Sequence, residues 1–230
     1  MLFLALSCLQ GRPMAAAFDE LRTLAPDGIQ LTPGNLPTRH FSAHVAFSKV
    51  KIRTHHGFSW TKRRRPVWNA TDCLTQVDSV HPPLRASMDE RAWSRWIERA
   101  SCTLRGAALD IPALEIMPPR HRLGDDAELC DAMARGLRLA LDLSHLAIQR
   151  EQDRITAHTL RRLLAYPLVA EVHISRSDGL RDRHLPLTPR TYGLGFAREW
   201  LRAGRPLILE AYMHALSVRE RAQQLDLLRS

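Results

Sequence analysis

The sequence has little cysteine and no long apolar run. Its 230 residues contain four cysteines, Cys8, Cys73, Cys102 and Cys130. No pair has the C-x-x-C spacing of a redox or zinc motif, and so few cysteines exclude a disulfide framework. We expect buried free thiols in a reducing cytosol. Residues 1–9 are apolar but lack the basic start of a secretion signal, so we interpret them as the first buried strand. No other segment has the apolar length of a transmembrane helix, and we expect a cytoplasmic protein that does not contact a membrane.

Lysine is also scarce. The only lysines are Lys49, Lys51 and Lys62, which leaves arginine as 30 of the 33 basic residues (33 minus 3). The net charge of +9 and the pI of about 10.2 permit an anionic partner, such as a phosphorylated metabolite or DNA. A bias towards arginine can equally reflect the genome, so the charge alone does not predict nucleic-acid binding.

Strand-like and helix-like segments alternate along the chain, which predicts βα units and a parallel sheet. The apolar fraction of 45% and the charged fraction of 25% are typical of a globular protein, and the length suits one barrel. Eight strands are predicted, over residues 2–7, 28–31, 49–55, 77–81, 111–116, 137–142, 169–174 and 206–210.

Helical patterns fall between these strands, over residues 15–24, 88–104, 125–135, 157–164, 191–203 and 218–228. Ser87 and Glu90 have the spacing of a capping box at the start of the second of these helices. Pro37 interrupts the region after the second strand, so the helix there is expected to be short or missing. The predicted fold is therefore α/β, a single (β/α)8 TIM barrel over residues 1–230 with some short or missing helices.

Histidines and carboxylates recur where the predicted strands end. In chain order they are His55 and His56, His81, Glu115, Asp142 with His145, His173, Asp182 with His184, and Glu210. The C-terminal strand ends of such a barrel meet at one rim, where active sites lie. A single member of this set would more often be structural, but recurrence at successive strand ends indicates a metal site. Nitrogen and oxygen ligands without thiolate suit zinc, manganese or iron(II).

Two segments resemble a known family. The stretch 141–145 (Leu-Asp-Leu-Ser-His) and the stretch from His173 to His184, which contains Asp-Arg-His at 182–184, resemble the xylose-isomerase-like TIM barrels, and among them the endonuclease IV type of apurinic/apyrimidinic endonuclease.

That resemblance implies a centre of two or three divalent metal ions. His56 or His55, with His81 and Glu115, would hold one metal. Glu115 would bridge to a second, completed by Asp142, His173 and Glu210, and the third would be held by His145, Asp182 and His184. It also implies phosphoester hydrolysis by a metal-bound hydroxide, with Glu115 as the bridging ligand.

The substrate and the reaction remain open at this stage. The loop residues that this family inserts into DNA have no clear counterpart, so a small phosphorylated metabolite is an alternative to abasic DNA. Arg183 or Arg181, with the basic run 63–65, would hold the anion, although that run could equally be a solvated loop. Sugar isomerases and epimerases of the same superfamily use Glu, Asp, His and Glu on successive strands, which Glu115, Asp142, His173 and Glu210 also satisfy. There the two glutamates would transfer protons beside one metal. Iron-dependent oxidation is a third alternative.

Overall fold

The eight strands of the computed structural model form one parallel sheet. The structure describes the backbone of residues 1–106 and 111–230 and the side chains of 1–101 and 111–230. The strands are β1 (Leu2–Ala5), β2 (Gly28–Leu31), β3 (Lys51–Thr54), β4 (Ser79–Val80), β5 (Ala113–Glu115), β6 (Leu139–Asp142), β7 (Val169–Ile174) and β8 (Leu207–Leu209). Their order is β3-β2-β1-β8-β7-β6-β5-β4.

The sheet curls into a nearly closed barrel, with its seam between β3 and β4. At the seam, the Asp78 amide donates to the Thr54 carbonyl at 3.0 Å, and the Thr54 amide donates to the Asp78 carboxylate at 2.6 Å. A parallel bridge also joins His55 to Ser79. The predicted (β/α)8 barrel is therefore confirmed.

The first strand lies in the middle of the sheet. Residues Leu2–Ala5 pair with β2 on one side and with β8 on the other, and all four are buried. Strands of a parallel barrel are covered on both faces, so they read as continuous apolar runs. The buried strand predicted at the start of the chain is therefore confirmed over Leu2–Ala5, whereas Leu6–Leu9 form a short 3-10 helix. Within the described residues, no helix has both the length and the apolar character needed to cross a membrane.

Eight helices are described around the sheet: α1 (Met14–Arg22), α2 (Phe41–Phe47), α3 (Glu90–Gly106), α4 (Asp126–Ala134), α5 (Leu143–Glu151), α6 (Ala157–Leu164), α7 (Leu194–Arg202) and α8 (Val218–Arg229). As expected, the helix after β2 is short. The connection from β3 to β4, residues 55–78, is fully described and contains no helix. The missing helix therefore follows β3, whereas the sequence analysis expected a short or missing helix after β2.

Two local predictions were wrong. The start of α3 is capped by Asp89, whose carboxylate accepts from the Ala92 amide at 2.7 Å. Ser87 instead donates to the Leu84 carbonyl at 2.9 Å. The sequence analysis also missed α5, which begins directly after β6. Cys8 is a buried free thiol, as predicted, whereas Cys73 and Cys130 are free but only half-buried. Cys102 lies outside the described side chains.

Candidate metal centre

Glu115 lies at the centre of the C-terminal rim. It ends β5 and is completely buried. Its Oε2 atom lies 3.2 Å from Nε2 of His55, 3.2 Å from Nε2 of His81 and 3.4 Å from Nδ1 of His173. Its Oε1 atom lies 3.3 Å from Nδ1 of His145. One carboxylate therefore joins histidines that come from four different parts of the chain.

Many of the atoms that point into this cluster have no hydrogen-bond partner. Among the described residues these buried atoms include both oxygens of Glu115, Nε2 of His55, Oδ2 of Asp142, and Nδ1 of His56, His173 and His184. A buried polar group without a partner is costly, and such groups call for an explanation such as an ion. Convergent nitrogen and oxygen lone pairs are what a divalent cation requires, so the residues present fit a metal.

Three overlapping groups bring their candidate ligand atoms within 4.8 Å of one another. The groups are His55, His56 and His81; His55, His173 and Glu210; and Glu115, Asp142 and His145. His55 belongs to two of these groups and is almost fully buried. The ring of His56 stacks on that of His81 at 3.5 Å between centroids. The sequence left open which of His55 and His56 is a ligand, and the structure brings both into the cluster.

The N-terminus of α5 orients Asp142 and His145. The Oδ1 atom of Asp142 accepts from the Ser144 and His145 amides at 2.7 and 2.9 Å, as an N-cap residue does. Its second oxygen is thereby left free for the cluster. His145 was expected in a loop, but it lies in the first turn of this helix.

Asp182 and His184 approach from the loop after β7. The Oδ2 atom of Asp182 lies 3.0 Å from Nε2 of His145 and 3.0 Å from Nε2 of His184. His184 adopts a left-handed backbone conformation, with φ of 45°, and its Nδ1 atom lies 4.0 Å from Oε2 of Glu210. All ten residues predicted as metal ligands are thus brought to one rim.

The electrostatics divide the histidines into two kinds. Burial opposes the charged form of His145 and His173, but neighbouring carboxylates raise the pKa of both well above the usual value. For His184 the same balance, dominated on the raising side by Asp182, brings the pKa to about 9. Burial lowers the pKa of His56 and His81. His56 and His81 are therefore neutral and available as ligands. His145, His173 and His184 must each release a proton to bind a metal.

A cavity of about 490 Å³ opens onto the cluster. Besides the ligands, its walls include Arg64, Arg120, His121 and Tyr212. Arg183 does not line it: this exposed side chain instead pairs with Asp178, with Nε 3.0 Å from Oδ2. Sequence reasoning missed Arg120 and His121, which follow the Pro118-Pro119 turn after β5.

Sequence reasoning also missed Glu171. It lies two residues before His173 on β7 and is completely buried, and its Oε1 atom is 2.7 Å from Nε2 of His173. The spacing was a usable signal, because residues i and i+2 of a strand point to the same face.

No family model matches this sequence, and no curated protein matches it. Solved structures do. A D-tagatose 3-epimerase-like protein aligns with a TM-score of 0.61 at 14% identity, over 99% of this chain and 95% of the other. The TTHB071 protein from Thermus thermophilus, in a crystal soaked with ZnCl2, aligns with a TM-score of 0.51 at 18% identity, over 98% and 97% of the two chains. At these identities the similarity shows the barrel fold alone. The finer resemblance to endonuclease IV is not shown.

Proposed function

We propose that this protein is a divalent-metal-dependent isomerase or epimerase that acts on a small sugar-like hydroxycarbonyl compound. One observation carries the proposal: two glutamates from different strand ends face the same imidazole nitrogen. Nδ1 of His173 lies 3.4 Å from Oε2 of Glu115 and 3.3 Å from Oε1 of Glu210. With Asp142 in the adjoining ligand group, these residues make the Glu, Asp, His, Glu set of single-metal sugar isomerases. The structural similarity to a D-tagatose 3-epimerase-like protein supports the same reaction class.

The two glutamates are suited to transfer protons. A bound divalent ion would polarise the carbonyl and hydroxyl oxygens of the substrate. Burial disfavours the charged forms of Glu115 and Glu210, but the neighbouring histidines outweigh it and lower the pKa of both. Both are therefore carboxylates at neutral pH. Glu210 also lines the cavity, so it can accept a proton from a carbon next to the substrate carbonyl.

Phosphoester hydrolysis is the second candidate, and the surplus of ligands favours it. A single-metal isomerase has no need of the group formed by His55, His56 and His81, nor of the Asp182–His184 pair. Arg64 and Arg120 on the cavity wall could bind a phosphate. In this reaction Glu115, whose two oxygens face different histidines, would bridge two ions.

Metal content per chain discriminates between the two. We would measure it by elemental analysis on protein purified without chelator, with His184→Ala and, as a matched control, the exposed His158→Ala. One metal that survives His184→Ala, together with deuterium uptake from D2O into ketoses or their phosphates, would support the isomerase. Two or three metals that fall in His184→Ala but not in His158→Ala, with phosphate released from phosphoesters, would support the hydrolase. Iron as the native metal would direct the screen towards oxygen-dependent chemistry. A parent protein that binds no divalent metal would overturn both proposals.

A further inference from the structure

Below the metal cluster, inside the barrel, lies a buried polar network centred on Glu171. This side chain is completely buried, as are those of Gln30 and Ser79. Arg53 forms an ion pair with its Oε2 atom, and the amide nitrogen of Gln30 lies 3.5 Å from its Oε1 atom. A positive charge and an amide donor on the same carboxylate keep it ionised, and an ionised carboxylate can only accept hydrogen bonds.

One branch of this network reaches His173 directly. Nε2 of His173 lies 2.7 Å from Oε1 of Glu171. Since the carboxylate has no proton to give, the imidazole must be the donor in this bond. That leaves Nδ1 of His173, which faces Glu115 and Glu210, as the nitrogen that can release its proton and bind a metal.

A separate contact orients His55. Its Nδ1 atom lies 2.8 Å from the Ser79 hydroxyl oxygen, and its Nε2 atom lies 3.2 Å from Oε2 of Glu115. The nitrogen of His55 that faces the cluster is therefore Nε2.

We infer that Glu171 is a positioning residue that determines which nitrogen His173 presents to the metal centre. His173 shares one ligand group with His55 and Glu210. A single buried carboxylate thus holds Nε2 of His173 and turns Nδ1 towards the centre. This inference rests on the metal centre of the proposed function but not on which reaction the centre catalyses.

The test reads tautomers and metal affinity rather than turnover. In zinc-loaded parent protein with ¹⁵N-labelled histidine, long-range ¹H–¹⁵N spectra should show His173 bound through Nδ1 with a proton on Nε2, and His55 the reverse. Zinc affinity, measured by competition with a chelator, should fall about 10- to 100-fold in Glu171→Gln, which is the usual effect of losing such a partner. The absorption of bound cobalt(II) should change as well.

Two further variants separate positioning from a general loss of stability. Ser79→Ala should alter the signals of His55 while leaving those of His173 unchanged. Glu20→Gln is the matched control, since Glu20 also pairs with arginines, Arg12 and Arg221, but outside the cluster. It should lower the melting temperature without changing zinc affinity.

The opposite results are equally clear. A proton on Nδ1 of His173 in the zinc-loaded parent, or parental zinc affinity in a folded Glu171→Gln, would overturn the inference and leave the metal centre standing. A parent protein that binds neither zinc nor cobalt would overturn the metal centre and the inference together.

Discussion

Replacing Glu115 with glutamine should weaken metal binding at more than one position. The substitution keeps the size of the side chain but removes its charge and replaces one oxygen with a donor. Oε2 faces the nitrogens of three histidines and Oε1 faces that of His145, with all four distances between 3.2 and 3.4 Å. Among the carboxylates in the described part of the cluster, Glu115 lies next to the most histidines.

The size of the effect follows from burial. Glu115 is 0% exposed, so no water can replace the lost oxygen. Removing one partner from a buried charge interaction costs about 3–5 kcal/mol, and each 1.4 kcal/mol is about tenfold in an equilibrium constant. We therefore expect zinc affinity to fall between about 10²- and 10⁴-fold.

The assay is titration with zinc against a competing chelator, with elemental analysis of protein as purified. Glu20→Gln serves again as the control, because it removes a carboxylate from an arginine cluster that holds no candidate ligand. If Glu115→Gln retained the parental metal count and affinity while its melting temperature matched that of the control, the central role assigned to Glu115 would be refuted.

Three further predictions concern pH, substrate binding and the core. His145 and His173 have raised pKa values and His184 has a pKa of about 9. Because their protons must leave before a metal binds, zinc affinity should keep rising from pH 7 towards pH 9. A constant zinc affinity over that range, measured by competition with a chelator, would contradict this prediction. Arg120→Ala should raise KM for a phosphorylated substrate several-fold with metal content unchanged. Arg183→Ala should leave KM unchanged, because the Arg183 side chain pairs with Asp178 outside the cavity. The reverse pattern in steady-state kinetics would support the expectation that Arg183 holds the anionic substrate. Phe18→Ala should lower the free energy of unfolding by about 3–5 kcal/mol, because Phe18 is completely buried. Urea denaturation measures this change. A loss below about 1 kcal/mol would contradict the prediction and show that neighbouring side chains fill the space left by the ring.

Much of the barrel could be predicted from local pattern. Strands β2 and β7 have the bounds that the sequence predicted. Both are largely apolar, although each contains buried polar residues, Gln30 in β2 and Glu171 and His173 in β7. The start of α5 could not be found in the same way. Its periodicity is weak, and Asp142 acts both as the end of a strand and as the cap of a helix. From the sequence alone, the residues around Asp142 fit a strand followed by a loop equally well.

The kinds of candidate ligand were evident in the sequence, but their arrangement was not. Residue types at successive strand ends identify histidines and carboxylates that meet at one rim, because parallel strands bring their C-terminal ends together. Distance along the chain does not show that Arg183 turns away to Asp178 while Arg120 reaches the cavity.

The sequence by itself determined the alternation of strands and helices, the buried first strand and the set of candidate ligands, since each depends on neighbouring residues and a regular period. Only the tertiary structure decided that Glu115 contacts four histidines, that the seam lies between β3 and β4, and that Glu171 supports His173. Those features depend on atoms that approach across the barrel from distant parts of the chain. Their geometry is set by how eight strands close on one another, which no local pattern encodes.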